Sequence, residues 1–540
     1  MGIPGLFGFI VKNYPSIIKK YIKDALKVDN LYLDCNSIIY DAYSKMEFDK
    51  LTETVSVSII NNVILKIEEY ITIVKPSKTV IIAFDGVAPF GKLEQQRSRR
   101  YKSWYQNEIL RQIFKKEKED QWNTTSITPG TKFMAELNET VSKHFTKDIC
   151  DKLIVTDILV SGSNKPGEGE HKLFSYIRQN LKKHMNETTV IYGLDADLIM
   201  LSINHLPICP NIYLFRETPH FIKSIDSSLE PNSNYFLDIP EFTASLTKYM
   251  NNDKELTTQQ QKNKVYDYIF LCFFLGNDFL PHFPAINIRT GGVDTMINAY
   301  KATIGESGLN LTDGKTIFWG NVRKVVQQLA NQEEELIIIE HRSRNNKERR
   351  KLPDTTPEEK VKNFDSTPLY NREIEHYINP VKPNWQSRYY RSLFNIKSDL
   401  KDEQKRDICL NYLQGLEWTM KYYTTDCPDW RWCYKYNYPP LLQDLIRFIP
   451  VFNKEFMPEK PLNPVSEIVQ LCYVLPRTSL NLLPKKFYFE LIRKYDHWYK
   501  GDCDFNWAYC RYFWESHVEM NDIDIDELEQ FIADHRHLLV

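Results

Sequence analysis

Seven carboxylates in this chain stand where they could work together: Asp34, Asp85, Glu168, Glu170, Asp195, Asp197 and Asp278. Asp34, Asp85 and the Asp195/Asp197 pair follow short β-rich runs. A single Asp closing a strand is most often a turn or helix cap. Recurrence at several strand ends is the stronger signal, because ligands of open α/β sheets bind outside the carboxyl ends of the strands. Glu168 and Glu170 are two residues apart and would diverge on a regular helix, so the preceding Pro166–Gly167 turn must redirect them. The same holds for Asp195 and Asp197, while Asp278 in LGNDFLPH also suits a helix end or a turn. Like charges at close range raise each other's pKa. Two divalent ions roughly 3.5–4 Å apart would resolve that conflict and supply phosphodiester chemistry, one activating a water and one stabilising the leaving oxygen. Oxygen-only ligands favour Mg²⁺ or Mn²⁺.

A basic face follows the second of these acids. In GVAPFGKLEQQRSRRYKSW, Lys92, Gln96, Arg99 and Arg100 fall at i, i+4, i+7 and i+8, on one side of a helix that begins after Pro89. A solvated basic helix would read the same way in isolation. Beside a metal site, one lysine, one amide and two guanidiniums suit a terminal phosphate, with arginine giving bidentate contacts.

The elements that must position these groups alternate in the pattern of an α/β domain with a mostly parallel central sheet flanked by helices. Candidate strands are Leu31–Leu33, Val80–Phe84, Leu153–Val160, Val190–Gly193 and Ile212–Phe215, with helices over Val55–Val74, Lys92–Glu119 and Glu170–His184. Residues 1–340 are expected to form the catalytic domain and 341–365 a charged linker. Residues 366–540 are expected to form a helical, aromatic-rich second region packed on the first. The chain has 540 residues and a net charge of −2, so any nucleic-acid surface must come from local segregation of sign. Ten scattered cysteines without a Cys-x-x-Cys pair fit a reducing compartment and argue against a zinc knuckle. No apolar run approaches the roughly 18 residues of a membrane span, and no signal peptide is visible. At Met1-Gly2, Leu6 stands where a myristoylation motif wants Ser or Thr. A soluble, monomeric protein of the cytoplasm, or alternatively of the nucleus, is expected.

MGIPGLFGFIVKNYP, LYLDCNSIIY, FDGVAPFGKLEQQRSRRY, PGEGEHKLFSYIR, YGLDADLIML and LGNDFLPHFP resemble, in matching order, the eukaryotic 5′→3′ exoribonucleases. The likeness continues through GLEWTMKYYTTDCPDWRWCYKYNYPPLLQDL and LCYVLPRTSLNLLP. It implies a catalytic core similar to that of flap endonucleases. The seven carboxylates would stand at metal-binding catalytic positions, and Lys92, Gln96, Arg99 and Arg100 would select a 5′-monophosphate. By the same resemblance Trp418 would stack on the terminal base, and Pro89 would sit at the entrance where duplex RNA separates. Tyr40 occupies the place of the family's histidine, keeping an aromatic face for stacking without the imidazole.

The expected activity is processive 5′→3′ hydrolysis of 5′-monophosphorylated single-stranded RNA to mononucleotides by two metal ions, in RNA decay or turnover. A structure-specific flap-type endonuclease and an inactive RNA-binding scaffold are the alternatives. A closed phosphate pocket argues against the first, and a carboxylate cluster facing RNA phosphates argues against the second.

Overall fold

A computed structural model describes residues 5–20, 26–46, 53–115, 122–218, 220–224, 226–252, 254–350, 352–396, 401–499 and 503–539. The first four residues of the MGIPG motif and residues 116–119 of the expected Lys92–Glu119 helix lie outside them.

The centre is a seven-stranded, mostly parallel sheet: β1 (Ile18–Lys20), β2 (Asn30–Asp34), β3 (Thr79–Ala83), β4 (Asp157–Ser161), β5 (Thr189–Tyr192), β6 (Ile212–Glu217) and β7 (Asn234–Asp238). The order across the sheet is β1-β7-β6-β5-β2-β3-β4. Strands β2 to β6 run parallel, β7 pairs antiparallel with β6, and β1 pairs antiparallel with β7 at the edge. Alternation with period two decides which face each side chain joins. Leu31, Leu33, Val80, Ile82, Val190 and Tyr192 enter one core, and Tyr32, Ile81, Ala83 and Ile191 enter the other. Both faces are therefore buried, as a parallel sheet requires. From β2 the chain passes to β3 on one side and later returns to β5 on the other. The carboxyl ends of β2 and β5 thus flank a topological switch point, where such sheets bind ligands.

The Val55–Val74 helix covers one face of the sheet. Thr54 caps it, and Ile59, Ile60, Val63, Ile64, Ile67, Tyr70, Ile71 and Val74 form its buried stripe. The basic segment folds as a helix from Phe90 to Phe114. Leu153 ends a helix, so the fourth strand starts later than the expected Leu153–Val160.

The stretch 341–365 is exposed over residues 353–358 but is helical on both sides of them, and its first part is tied into the core. Residues Trp319–Glu348 form one helix, and Pro357–Asp365 form another behind a Thr356/Glu359 capping box. Arg344 is buried and donates to both carboxylate oxygens of Glu375, at 2.8 and 2.7 Å, and to the Cys510 carbonyl. Arg372 in turn pairs with Glu348 and Glu375. These partners are distant in sequence, so local composition resembles a solvated tract. One apolar core runs from Leu6 to Tyr509, joining the helical second half to the underside of the sheet. The ten cysteines are free thiols. Among the described residues no helix is long and apolar enough to cross a membrane.

Candidate active site

A cavity of about 2020 Å³ opens at the carboxyl ends of β2, β3 and β5. Asp34, Asp85, Glu168, Glu170 and Asp195 line it together with Lys92, Gln96, Arg99, Arg100 and Tyr40. Asp197 and Asp278 are buried just behind this wall.

Backbone geometry fixes the acids. Asn36, at the start of the helix after β2, donates to Asp85 Oδ2 at 2.5 Å, and its Oδ1 accepts from the Asp85 N–H at 3.0 Å. The Gly169 N–H donates to Asp85 Oδ1 at 2.6 Å from the first turn of the Gly169–Gln179 helix. A Cβ at Gly169 would lie 2.6 Å from Asp34 Oδ1, so glycine is required between the two glutamates. Glu168, before this helix, accepts from Tyr422 at 2.7 Å, and the Tyr422 ring stacks on His171 at 3.7 Å. Asn36, Gly169 and Tyr422 escaped the sequence reading. The placement of Asn36 two residues after Asp34 was the available signal.

Electrostatics divides the cluster. Burial, reinforced by Asp85 and Asp195, holds Asp34 well above the usual carboxylate range. Burial and Glu168 raise Asp85. Burial with Asp197 and Asp195 raises Glu170 strongly, and burial with Asp278 and Asp195 pushes Asp197 up to about 8. Asp278 goes the other way: burial would raise it, yet Lys92 outweighs burial and holds it well below the ordinary value. Lys92 Nζ lies 2.6 Å from Glu168 and 2.5 Å from Asp278. Those two acids and Glu170 overcome its own burial and keep it charged.

The donor set is chemically suited to hard divalent cations, being all carboxylate oxygen. Asp34 Oδ1 and Asp197 Oδ1 are buried without a hydrogen-bond partner, a cost that a cation would remove. Among the described residues, however, no three of these side chains converge into a metal-holding group. The Lys92 ammonium lies between two of them.

The basic face lies at the same cavity. Arg100 Nη2 donates to Thr128 Oγ1 at 2.6 Å, while its buried Nη1 has no partner. Burial depresses this guanidinium to about 10, which still leaves it charged at neutral pH. Gln470 Nε2 approaches Gln96 Oε1 at 3.4 Å, leaving the Gln96 amide nitrogen as the donor for an anion. Arg97, on the opposite side of the helix, packs over Tyr473 and donates to the Asn521 carbonyl, which turns the Gln96, Arg99 and Arg100 side toward the cavity.

The aromatic assignments change. Tyr40 is 47% exposed and lines the cavity. Trp418 is fully buried and lies outside the cavity lining. Its indole donates to the Asp429 carbonyl at 2.8 Å, and its ring stacks with Tyr422 at 4.7 Å and Trp432 at 5.4 Å. It supports the Glu168 partner Tyr422 and has no face for a base. Pro89 is also buried away from the cavity, at the start of the Phe90–Phe114 helix, where its carbonyl accepts from Lys92 and Leu93. The tryptophan that shares the cavity with Tyr40 from the C-terminal region is Trp514. Lys102 anchors it, donating to the carbonyls of Trp514 and Ser516 at 2.8 and 2.9 Å.

Residues 1–218 match the family model described as XRN 5'-3' exonuclease N-terminus. Residues 259–377 and 354–528 match the Xrn1 helical domain. The chain is 27% identical to 5'-3' exoribonuclease 2 of Arabidopsis thaliana over 95% of its own length and 65% of the relative's. It is 27% identical to 5'-3' exoribonuclease 1 of Saccharomyces cerevisiae, covering 90% of this chain and 40% of that one. For 5'-3' exoribonuclease 1 of Homo sapiens the identity is 28%, with 90% and 31% covered. The chain thus spans less than two thirds of the length of these relatives. A solved structure of the catalytic core of Rad2 with a DNA substrate superposes with a TM-score of 0.31 at 14% identity, over 68% of this chain and 84% of that one. That superposition is too distant to bear on the chemistry.

Proposed function

The chain belongs to the XRN 5′-3′ exonuclease family, and we propose that it hydrolyses single-stranded RNA from a 5′-monophosphate end, releasing mononucleotides processively. The observation that carries this reading is one cavity holding the carboxylates and the Gln96/Arg99/Arg100 face together. RNA turnover in the cytoplasm or nucleus is the corresponding role.

In this proposal Arg99, Arg100 and the Gln96 amide bind the terminal phosphate through charge-assisted hydrogen bonds, and the unpartnered Nη1 of Arg100 gains its acceptor. Tyr40 and Trp514 offer rings to the first bases, a contact tolerant of sequence. Asp34, Asp85, Glu168, Glu170, Asp195, Asp197 and Asp278 would hold two Mg²⁺ or Mn²⁺ ions. When bound, such ions lower the pKa of water and stabilise the leaving oxygen. Asn36 and Gly169 keep Asp85 aimed, and Tyr422 holds Glu168. Each cleavage leaves a new 5′-monophosphate on the shortened RNA, so the same face receives it again. An inactive scaffold is disfavoured, because a buried carboxylate cluster repels RNA and destabilises the fold without return.

The test is digestion of one RNA carrying a 5′-hydroxyl, monophosphate, triphosphate or cap, in Mg²⁺ and in EDTA. The monophosphate RNA should be degraded fastest, and only with metal. Arg99→Ala combined with Arg100→Ala should lose about ten-fold to several thousand-fold of the preference over the hydroxyl, from two contacts of about 1.5–3 kcal/mol each. Equal slowing on both substrates would assign the helix to general RNA binding.

A further inference from the structure

Arg216 lies in the same cavity, in β6 and close enough to Asp195 to feel its charge. The residue is only 7% exposed. Its guanidinium carbon stands 4.0 Å over the ring of Phe7, from the N-terminal Leu6–Asn13 helix, which also reaches the cavity. Yet the guanidinium makes no hydrogen bond and closes no ion pair among the described residues, and its buried Nε has no partner. Burying a charge with its donors unfilled is costly. Phe7 offsets part of that cost through the cation–π contact and fixes the plane of the fork. What remains is a set of donors, oriented and open to a cavity, of the kind that binds phosphate bidentately.

Its place in the sheet says which phosphate. The order β6-β5-β2-β3 puts Arg216 three strand spacings from β3, roughly 14 Å at about 4.8 Å per strand. From β3 the chain enters the helix bearing Arg99 and Arg100, and the acids at the ends of β2 and β5 lie between. We propose that Arg216, stacked on Phe7, binds a backbone phosphate of the RNA on the 3′ side of the scissile bond. It is a substrate-binding residue for the strand that is retained, opposite the 5′-phosphate face. This inference rests on the reading of the protein as a 5′→3′ exoribonuclease.

The test is binding in EDTA of a 5′-monophosphate RNA in which one linkage at a time is a neutral methylphosphonate. Wild-type protein should lose about ten-fold or more in affinity at one linkage on the 3′ side of the first nucleotide. Arg216→Ala should bind the all-phosphate RNA about ten- to one-hundred-fold more weakly and become insensitive at that linkage. Its slope of log affinity against log salt should be shallower by about 0.7, the value for one phosphate contact to a single strand. The loss should be equal for 5′-hydroxyl and 5′-monophosphate RNA, unlike that of the Arg99/Arg100 variant. Arg216→Lys keeps the charge without the fork, so it should keep the slope and lose several-fold in affinity. It decides the matter if the alanine variant does not fold. Wild-type affinity in the lysine variant, or in the alanine variant unchanged affinity and slope, would overturn the assignment and leave Arg216 as a counter-charge to Asp195. If wild-type protein cleaves no 5′-monophosphate RNA, the proposed function falls, while the linkage scan still reports on Arg216. Cleavage without any Arg216-dependent linkage removes this inference alone.

Discussion

Lys92 Nζ meets Asp278 Oδ2 at 2.5 Å, tying the helix that follows β3 to a loop 186 residues further along the chain. With Glu168 at 2.6 Å on its other side, the same ammonium neutralises two of the candidate metal ligands. Its position offsets the charge of those two acids, while Asp34, Asp85, Glu170 and Asp197 stay above their ordinary range.

Lys92→Met should therefore destabilise the protein by about 3–5 kcal/mol in EDTA, since removing one member of a buried pair strands the other. Mg²⁺ should restore much of the loss. Chemical denaturation with and without Mg²⁺ checks this, and a variant as stable as wild type in EDTA would contradict it.

Gly169→Ala should abolish cleavage while leaving a cooperatively folded protein. The added methyl would lie 2.6 Å from Asp34 Oδ1 and displace the carboxylate, or pull the 169 N–H away from Asp85. Circular dichroism and single-turnover cleavage decide the point together. Wild-type turnover in a folded variant would show that the Asp34–Gly169 contact does not matter.

Trp418→Ala and Trp514→Ala should separate fold from substrate binding. The first empties a fully buried site and should cost about 3–5 kcal/mol of stability. The second should leave stability nearly unchanged and weaken RNA binding by about 1–3 kcal/mol regardless of base. Tyr40→Ala should resemble the Trp514 variant and Tyr40→Phe should be almost silent, because the ring remains. Weak RNA binding by a fully stable Trp418→Ala protein would reverse this assignment.

Much of the sheet was legible because its strands are short apolar runs ending in acids, which marks both the strand and the site edge. The shared helix face was legible because helical spacing alone groups Lys92, Gln96, Arg99 and Arg100, although spacing gives no sign that Lys92 pairs with Glu168 and Asp278. What was not legible depends on distant contacts. Trp418 and Trp514 are both lone tryptophans in sequence, and only packing shows that one is covered by Tyr422 and Trp432 while the other reaches the cavity. Arg216 sits in an ordinary strand with no spacing signal. The three-residue β1 pairs antiparallel with β7, at the far edge of the sheet, and is too short to show periodicity. The charged tract 341–365 read as a linker because Arg344 finds its partner only at Glu375.

Below pH 6.5 the buried His205 should work against the fold. Arg178 can only donate to His205 Nε2, at 3.0 Å, so His205 must be neutral, with Nδ1–H donating to the Leu201 carbonyl. This contact joins the helices carrying Glu170 and Asp197. Burial, then Arg178, depresses His205 to about 3, and burial lowers His282 and His517 to about 4 and about 3. Histidines depressed in the fold give stability that is complete above the unfolded value of 6.5 and is lost as pH falls below it. Each such group contributes at most about 1.4 kcal/mol per pH unit between pH 6 and 5, while the buried carboxylates held above their ordinary range, Asp34, Glu170 and Asp197 among them, act in the opposite sense. Urea unfolding of wild type and His205→Gln across that range should therefore show slopes that differ by about 1.4 kcal/mol per pH unit. Identical slopes would show that His205 titrates normally in the fold.

The most direct measurement follows a ³²P label placed on the 5′-monophosphate of a single-stranded RNA in Mg²⁺. The label should leave first, as a 5′-mononucleotide, with internally labelled nucleotides following in sequence order and no labelled oligonucleotides at any time. Release of the label in oligonucleotides would make the protein an endonuclease, and a label that stays on full-length RNA under tight binding would make it a scaffold.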